Sequence, residues 1–199
     1  MELIRRRNML GASGSAIDWE TLCIGILSGN ISTINIPEGV TKLREYALAY
    51  TQATTITLPS TLTTLGGNGW QLGVNTNLVN LDLGTGLTSI SQAMVRGCTS
   101  LKDVILPAQI VYINYVAFYG LRSWTLTMLR EASVVNKHNV IWDEAPQAIY
   151  VPDAVVSTYQ SSTAWSSFAS LIKPISEKGG VADYQPLSGW LFTERRAAA

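Results

Sequence analysis

The stretches INIPEGVTKLREYAL (residues 34–48) and LVNLDLGTGLTSISQAMVRGCTSLKDVILP (residues 78–107) decide the fold of this chain. Each contains an apolar-x-apolar triplet followed by proline or glycine, then a second apolar pair three residues apart, then an alanine beside a larger apolar residue. The triplet recurs at residues 34–36, 56–58, 81–83, 104–106, 126–128 and 149–151, the last two copies being fainter. The steps between them are 22, 25, 23, 22 and 23 residues.

This period has a direct structural meaning. Alternating apolar residues place their side chains on one face of a short strand, and proline or glycine then turns the chain. One such unit cannot bury its apolar face alone, but stacked units about 4.8 Å apart enclose a continuous core. The sequence therefore predicts a leucine-rich-repeat solenoid. It is α/β but strand-dominated, with a parallel sheet of five to six short strands and short helical caps.

The same motifs resemble a known family. The quoted repeats are similar to the BspA-like leucine-rich repeats of gut bacteria and their phages, in which an inward Ala-Phe pair and a following cysteine recur, as at Ala117-Phe118 and Gly97-Cys98 here. Residues 149–177 resemble the family's C-terminal cap, and residues 17–30 an opening segment of its short, signal-less members. The resemblance implies the solenoid fold and a role in adhesion or in protein and glycan recognition, without shared catalytic residues.

Five segments are predicted along the chain: an N-terminal arm (1–16), an N-terminal cap (17–30), the repeats (31–152), a C-terminal helical cap (153–177) and a tail (178–199). Asp153 is a candidate N-cap for a first short helix. The residues Trp165, Phe168, Leu171 and Ile172 are expected to form the apolar stripe of a second one, sealing the last repeat.

The two ends carry the candidate assembly contacts. An arginine cluster lies in the arm, and large apolar side chains follow a Gly-Gly pair in the tail, which is unusual for a solvated segment. We expect these ends to contact other protein subunits, either of a virion or of a homo-oligomer. The residues are Arg5, Arg6, Arg7, Tyr184, Leu187, Trp190, Leu191 and Phe192.

The outward positions of the strands form the candidate binding face. Their polar side chains could hydrogen-bond a glycan or a protein receptor, although threonine also simply favours strands. Trp70 lies in a glycine-rich loop within the longest step. Either the loop displays Trp70 to a partner, or Trp70 or Leu72 fills the buried slot of Ala47-Leu48. The candidates are Asn35, Thr55, Thr57, Asn80, Asp82, Asp103, Thr125, Thr127 and Trp70.

Composition and charge argue against several classes. Lys plus Arg and Asp plus Glu number 14 each, so the electrostatic attraction behind sequence-independent nucleic-acid binding is missing. We expect no membrane span and no secretory leader, because the apolar runs are too short for either. Cys23 and Cys98 fit no metal spacing, and Cys98 is expected to be a buried, reduced core residue.

No pattern of catalytic residues stands out. The single histidine, His138, lies in a polar stretch and is expected to be solvated. Asp143 and Glu144 are adjacent, so on a strand they would point to opposite faces rather than act as a pair. Residues 66–69 lack the lysine and Ser/Thr of a phosphate loop. We therefore predict no catalytic site, no metal, no cofactor and no enzyme.

These observations lead to one functional prediction and one alternative. The prediction is a phage or prophage virion component, such as a decoration, head-fibre or tail-associated protein, that displays the repeat surface for adhesion. The alternative is a bacterial cell-surface or extracellular adhesin that binds host protein or glycan.

Overall fold

The computed structural model describes residues 31–179. They form a stack of similar rungs, in which the typical rung passes through a main strand, a short second strand and a turn segment. The main strands are β1 (Thr33–Asn35), β3 (Thr55–Thr57), β5 (Asn80–Asp82), β7 (Asp103–Leu106), β9 (Thr125–Met128), β11 (Ala148–Val151) and β12 (Ile172–Pro174). The second strands are β2 (Lys42–Leu43), β4 (Thr64–Leu65), β6 (Ser89–Ile90), β8 (Tyr112–Ile113) and β10 (Asn136–Lys137).

The main strands confirm the predicted parallel arrangement, with one difference in number. They form a three-stranded sheet in the order β1-β3-β5 and a four-stranded sheet in the order β12-β11-β9-β7. Apolar residues of successive rungs are in register, so that Ile34 lies beside Ile56 and Val104 beside Leu126. The described part of the chain thus contains seven main strands rather than five or six, because residues after the last repeat add β12.

The second strands form a row that the sequence did not predict. They pair in the same parallel sense as β2-β4 and as β6-β8-β10. Each is only two residues long, which is too short for the alternation that reveals a strand in a sequence. Among the described strands, β4 and β6 are not paired with each other, and the row is interrupted at the longest repeat step.

Backbone hydrogen bonds also link the turn segments from rung to rung. Leu48 N donates to Gln71 O at 2.9 Å, Leu72 N to Met94 O at 3.0 Å, and Val95 N to Ala117 O at 3.1 Å. The inward side chains of these segments, including Leu48, Leu72, Met94 and Phe118, are buried. The turns therefore close the core on the side opposite the strands, as the repeated alanine-apolar pair predicts.

A buried polar position joins the early rungs. Asn75 is fully buried and makes four hydrogen bonds: Oδ1 accepts from Thr51 N (2.6 Å) and Oγ1 (2.9 Å), and Nδ2 donates to Leu48 O (2.7 Å) and Leu72 O (2.9 Å). The Asn75 amide thus supplies hydrogen-bond partners for backbone groups of the turns, Thr51 N, Leu48 O and Leu72 O, which would otherwise be buried without them.

One rung later, Cys98 occupies the equivalent buried position. Its Sγ lies 3.2 Å from Leu72 O, and the residue is free and fully buried. Burial raises the pKa of the Cys98 thiol to about 12. The predicted burial of Cys98 is confirmed, whereas its reduced state stays a prediction because Cys23 lies outside the described residues.

The C-terminal cap differs from the predicted pair of helices. It contains a 3-10 turn (Asp153–Val155), the helix α1 (Val156–Ser161) and two further 3-10 segments (Ser166–Leu171 and Ile175–Glu177). Asp153 does not cap α1; its Oδ1 instead accepts a hydrogen bond from Ser176 N at 3.1 Å.

The apolar residues of the cap nevertheless seal the last rung. Trp165 is fully buried and its Nε1 donates to Val135 O at 2.6 Å, while Phe168 packs edge-on against Trp142. Ile172 was expected on a helical stripe but belongs to β12, where it lies beside Ile149 of β11. The end of the solenoid is thus closed partly by an added strand, which satisfies the polar edge of β11.

Candidate functional site

The predicted binding face is open on the N-terminal half of the molecule. There, β1, β3 and β5 present Asn35, Thr55, Thr57, Asn80 and Asp82 on the side away from the core, and these side chains are exposed or half-buried. Asn80 Nδ2 donates to Thr55 Oγ1 at 3.3 Å. The five side chains alternate with the inward residues of their strands, of which Ile34 and Ile56 are buried and Leu81 is half-buried.

Asp82 is the charged group of this open half. Its carboxylate is half-buried and Oδ1 accepts a hydrogen bond from Gly84 N at 2.9 Å. Burial raises the pKa of Asp82, and the hydrogen bond from Gly84 opposes that shift in part. The ionised carboxylate is therefore less favourable here than in the unfolded chain.

Replacing Asp82 with asparagine is expected to stabilise the fold at neutral pH. A carboxyl whose pKa is raised on folding contributes its stability below its unfolded pKa and loses it as the pH rises through the folded value. Asp82→Asn keeps an oxygen for Gly84 N and removes the charge, so we expect a gain of a few tenths of a kcal/mol, small because solvent screens the site. Thermal melts of both proteins at several pH values test this: the difference should shrink as the pH falls towards 3.8. A wild-type protein that is more stable at pH 7 would contradict it.

The C-terminal half of the same face is covered by the chain itself. The segment after β12 crosses the sheet and places Lys178 Nζ 2.8 and 2.7 Å from the two carboxylate oxygens of Asp103 and 2.7 Å from Thr127 Oγ1. The ammonium group also lies 5.5 Å from the centre of the Tyr150 ring. Only 12% of the Lys178 side chain is exposed, so this is a well-shielded contact.

Lys178 changes the interpretation of three predicted residues. Thr127 points outward, as its place in β9 requires, but it is fully buried under Lys178. Asp103 is engaged by Lys178 and by Thr125 Oγ1, which donates to Asp103 Oδ1 at 3.0 Å. The structure thus brings Asp103, Thr125 and Thr127 together, but as an internal contact rather than as an open binding surface.

Trp70 lies on a different edge of the molecule, where the turn segments begin. Leu72 fills the buried slot beside Leu48, and Trp70 is half-buried, with its ring stacked on Tyr46 at a centroid distance of 6.2 Å. The guanidinium of Arg96 lies 4.8 Å from the centre of the Trp70 ring and 4.9 Å from that of Tyr119. The loop therefore presents Trp70 at the surface, while Leu72 takes the buried slot.

This edge carries several aromatic side chains and one cation. Tyr46, Tyr50 and Tyr115 are 40%, 62% and 42% exposed, so a large part of each residue is open to solvent. Aromatic and arginine side chains are enriched among the residues that dominate binding energy in protein interfaces. We call the following set the aromatic row: Tyr46, Tyr50, Trp70, Arg96, Tyr115 and Tyr119.

The backbone of the row is unusual for such side chains. Tyr46, Tyr50 and Trp70 have φ values of 58°, 58° and 59°, in the left-handed region where a side chain costs about 1–2 kcal/mol. The position equivalent to Tyr50 is Val74 in the next rung and Gly97 and Gly120 in the two rungs after it, with φ values of 59°, 78° and 85°. Tyr50 is 62% exposed, so its ring gains little from packing against the fold at this position.

The residues considered for chemistry make structural contacts instead. His138 is half-buried rather than solvated, with Nδ1 accepting from Val140 N at 3.1 Å and its ring 5.0 Å from that of Tyr115. Asp143 and Glu144 do not point to opposite faces, because both lie in a turn and contact Arg122 at 2.9 and 3.4 Å. Within residues 31–179, no group of three His, Cys, Asp or Glu side chains could hold a metal ion.

The predicted assembly contacts lie outside the described residues, and they stay predictions. They are Arg5, Arg6, Arg7, Tyr184, Leu187, Trp190, Leu191 and Phe192. Among the helices that the structure describes, none has the length and apolar character needed to cross a membrane.

Comparison with known proteins identifies the family. Residues 27–139 match the BspA type leucine-rich repeat region, in six copies. The match covers more than half of the chain, and the chain belongs to this family. The resemblance of the repeat motifs is thereby confirmed.

A solved structure and the curated proteins add little to this. The crystal structure of a leucine rich cell surface protein from Faecalibacterium prausnitzii A2-165 is similar at 18% identity and a TM-score of 0.44, over 57% of this chain and 32% of that one. This chain thus spans about a third of the length of that protein. No curated protein matches the sequence.

Proposed function

We propose that this chain is a non-enzymatic recognition protein that binds its partner through the aromatic row. The carrying observation is the cluster of exposed and half-buried aromatic side chains along one edge of the turn segments, with Arg96 between the rings of Trp70 and Tyr119. Membership of the BspA-type family supports a recognition role, because the resemblance associates that family with adhesion and with protein or glycan binding.

The open half of the strand face is secondary in this proposal. Asn35, Thr55 and Thr57 offer hydroxyl and amide groups but bury little apolar surface, and Lys178 covers the other half of the sheet. Apolar and aromatic area supplies most binding energy, and polar groups mainly fix orientation. The aromatic row offers aromatic area in its rings and a polar group in Arg96, whose planar cation lies between the rings of Trp70 and Tyr119.

Two variants of the aromatic row test the proposed function. Tyr50→Gly removes an exposed ring at a backbone position where glycine fits, so its melting temperature should stay close to that of the wild type. Arg96→Ser removes the cation between Trp70 and Tyr119. Binding of the fluorescent full-length chain to cultured epithelial cells, measured by flow cytometry, is expected to fall at least about tenfold in each variant, which corresponds to about 1.4 kcal/mol.

The matched control is Val79→Ser, which removes an apolar side chain that is 49% exposed and lies outside the row. It should bind like the wild type. Unchanged binding of both row variants, with the wild type bound saturably, would rule out the row as the contact surface. Treating the cells with protease or with glycosidases beforehand distinguishes a protein receptor from a glycan.

The setting that we propose is the surface of a bacterium or the extracellular space, as an adhesin. The family membership and its association with adhesion support this setting. The virion component predicted from the sequence stays a prediction. An antibody raised against this protein distinguishes the two settings: it should label intact bacterial cells if the protein is an adhesin, and purified phage particles if it is a virion component.

A further inference from the structure

The interruption in the row of second strands opens a cleft on the surface. The repeat step that contains residues 66–70 is the longest of the chain, and β4 and β6, on either side of it, are not paired among the described strands. The cleft between them is open to solvent on one side, is lined mainly by polar groups and has a volume of about 370 Å³.

A buried glutamine holds the two sides of the cleft at a fixed separation. Gln71 is fully buried; its Nε2 donates to Gly66 O at 2.9 Å, and its Oε1 accepts from Ser91 Oγ at 2.5 Å. Gln71 thus joins the rungs where the backbone ladder is missing. Because its hydrogen-bonding groups are satisfied internally, the cleft is a maintained feature of the fold rather than a loosely packed gap.

The loop on one wall is also fixed. Gly69 has a φ of 101°, and a Cβ atom there would lie 1.7 Å from Gln92 O. The following residue, Trp70, donates its backbone N–H to the same oxygen at 3.2 Å. Glycine is therefore required at this point, and the close approach places Trp70 of the aromatic row directly after the wall of the cleft.

The chemistry of the lining selects the ligand class. The lining residues, all within the described part of the chain, include no charged side chain, and most carry a hydroxyl or an amide: Thr63, Thr64, Ser89, Ser91, Gln92 and Asn114. Such groups donate and accept hydrogen bonds without favouring either sign of charge. Lys42 and Glu45 flank the glycine loop of one wall with one charge of each sign, so the surroundings of the cleft favour neither an anion nor a cation.

An extended peptide fits the cleft less well than a sugar does. Strand addition needs a sheet edge several residues long, whereas β4 and β6 have two residues each. A neutral saccharide presents hydroxyl groups of both donor and acceptor character and an apolar ring face. The cleft offers hydrogen-bond partners for the hydroxyls, and Trp70 of the aromatic row follows Gly69 of its wall in the chain.

We propose that this cleft binds a neutral saccharide unit of a glycan, whose continuation contacts the aromatic row. The inference rests on the proposed recognition function and adds the class of ligand and the place of its terminal unit. Gln92 and Asn114 contact the saccharide hydroxyls, and Ser89 lines the floor of the site.

The test uses the full chain and a printed array of neutral oligosaccharides of glucose, galactose, mannose and N-acetylglucosamine, together with sialylated counterparts. The best neutral binder is then titrated by calorimetry. Gln92→Ala and Ser89→Tyr are expected to weaken binding at least about tenfold. The control Asn77→Ala, at an exposed amide that bonds Gln52 rather than lining the cleft, should leave it unchanged.

The outcomes separate the cleft from the proposed function. Loss of saccharide binding in the cleft variants with native melting curves supports the cleft proposal, and Gln92→Ala alone decides it where Ser89→Tyr does not fold. No neutral saccharide binding up to about 10 mM, or binding that the cleft variants do not weaken, overturns it. If the cleft proposal fails in this way, cell binding that still depends on Tyr50 and Arg96 would leave the proposed function standing. Cell binding that depends on neither residue would overturn the proposed function, and the cleft proposal that rests on it.

Discussion

Leu106→Asp is expected to abolish the cooperative melting transition of the protein. Leu106 is fully buried in β7, where it lies beside Met128 of β9, and its backbone oxygen accepts from Leu129 N at 3.0 Å. An aspartate there either keeps its charge without a partner or takes up a proton, and both cost several kcal/mol in an apolar core. Domains of this size are stable by about 5–15 kcal/mol, so the loss is comparable with the total.

Leu58→Asp makes the same test in the other sheet. Leu58 is 2% exposed, and it follows β3 in the three-stranded sheet. Because neighbouring rungs stabilise one another in a solenoid, a defect in either sheet should propagate to the other. Circular dichroism at increasing temperature measures the transition, and Val111→Asp, at a side chain that is 41% exposed, is the control that should still melt cooperatively. A native transition in both core variants would refute the assignment of the inward rung positions.

The repeat pattern predicted the core because each inward position recurs. Ile34, Ile56 and Leu126 are fully buried, and all three were identified by alternation with polar neighbours. A pattern that repeats along the chain reports on the contact between rungs, since equivalent residues of adjacent rungs are neighbours in space. That is why a solenoid can be predicted from one sequence more readily than a fold built from distant contacts.

The features that the sequence did not reveal depend on contacts without such periodicity. Lys178 meets Asp103 across 75 residues, and no pattern in the sequence connects the two. The alternation along a strand shows which side chains point away from the core, as Thr127 does. Whether such a side chain is exposed depends on the segments that cross the sheet later in the chain, here the one that carries Lys178. Asp103 and Thr127 therefore belong to an internal ion contact rather than to an open surface.

The aromatic row escaped prediction for a different reason. Trp70 was identified by its glycine-rich loop, whereas Tyr46, Tyr50 and Tyr119 occupy turn positions with no alternation to interpret. One signal was present: Tyr50 stands where later rungs have Gly97 and Gly120. The glycines at this repeat position indicate a left-handed backbone, which Val74 also adopts in the rung between, and the tyrosine is the aromatic residue among the four.

Asn75→Ala is expected to destabilise the protein by at least about 3 kcal/mol. The variant leaves Thr51 N and the oxygens of Leu48 and Leu72 buried with their bonds to the amide lost, and each such group costs about 1–3 kcal/mol. A small cavity adds to this loss. This position also links three rungs. Asn75 bonds to Thr51 and Leu48 in the preceding rung, and Cys98 in the following rung contacts Leu72 in the rung of Asn75.

Asn77→Ala provides the matched control for this prediction, because it removes the same amide two residues away. Asn77 is exposed and its Nδ2 donates only to Gln52 Oε1, at 2.7 Å, so its loss should cost less than about 0.5 kcal/mol. Urea unfolding followed by tryptophan fluorescence gives both free energies. Asn75→Cys should fall between them, because a thiol at this position can contact Leu48 O, as Cys98 contacts the equivalent oxygen of Leu72, but accepts poorly from Thr51 N. Equal stabilities of the Asn75→Ala and Asn77→Ala variants would show that the buried amide does not hold the early rungs together.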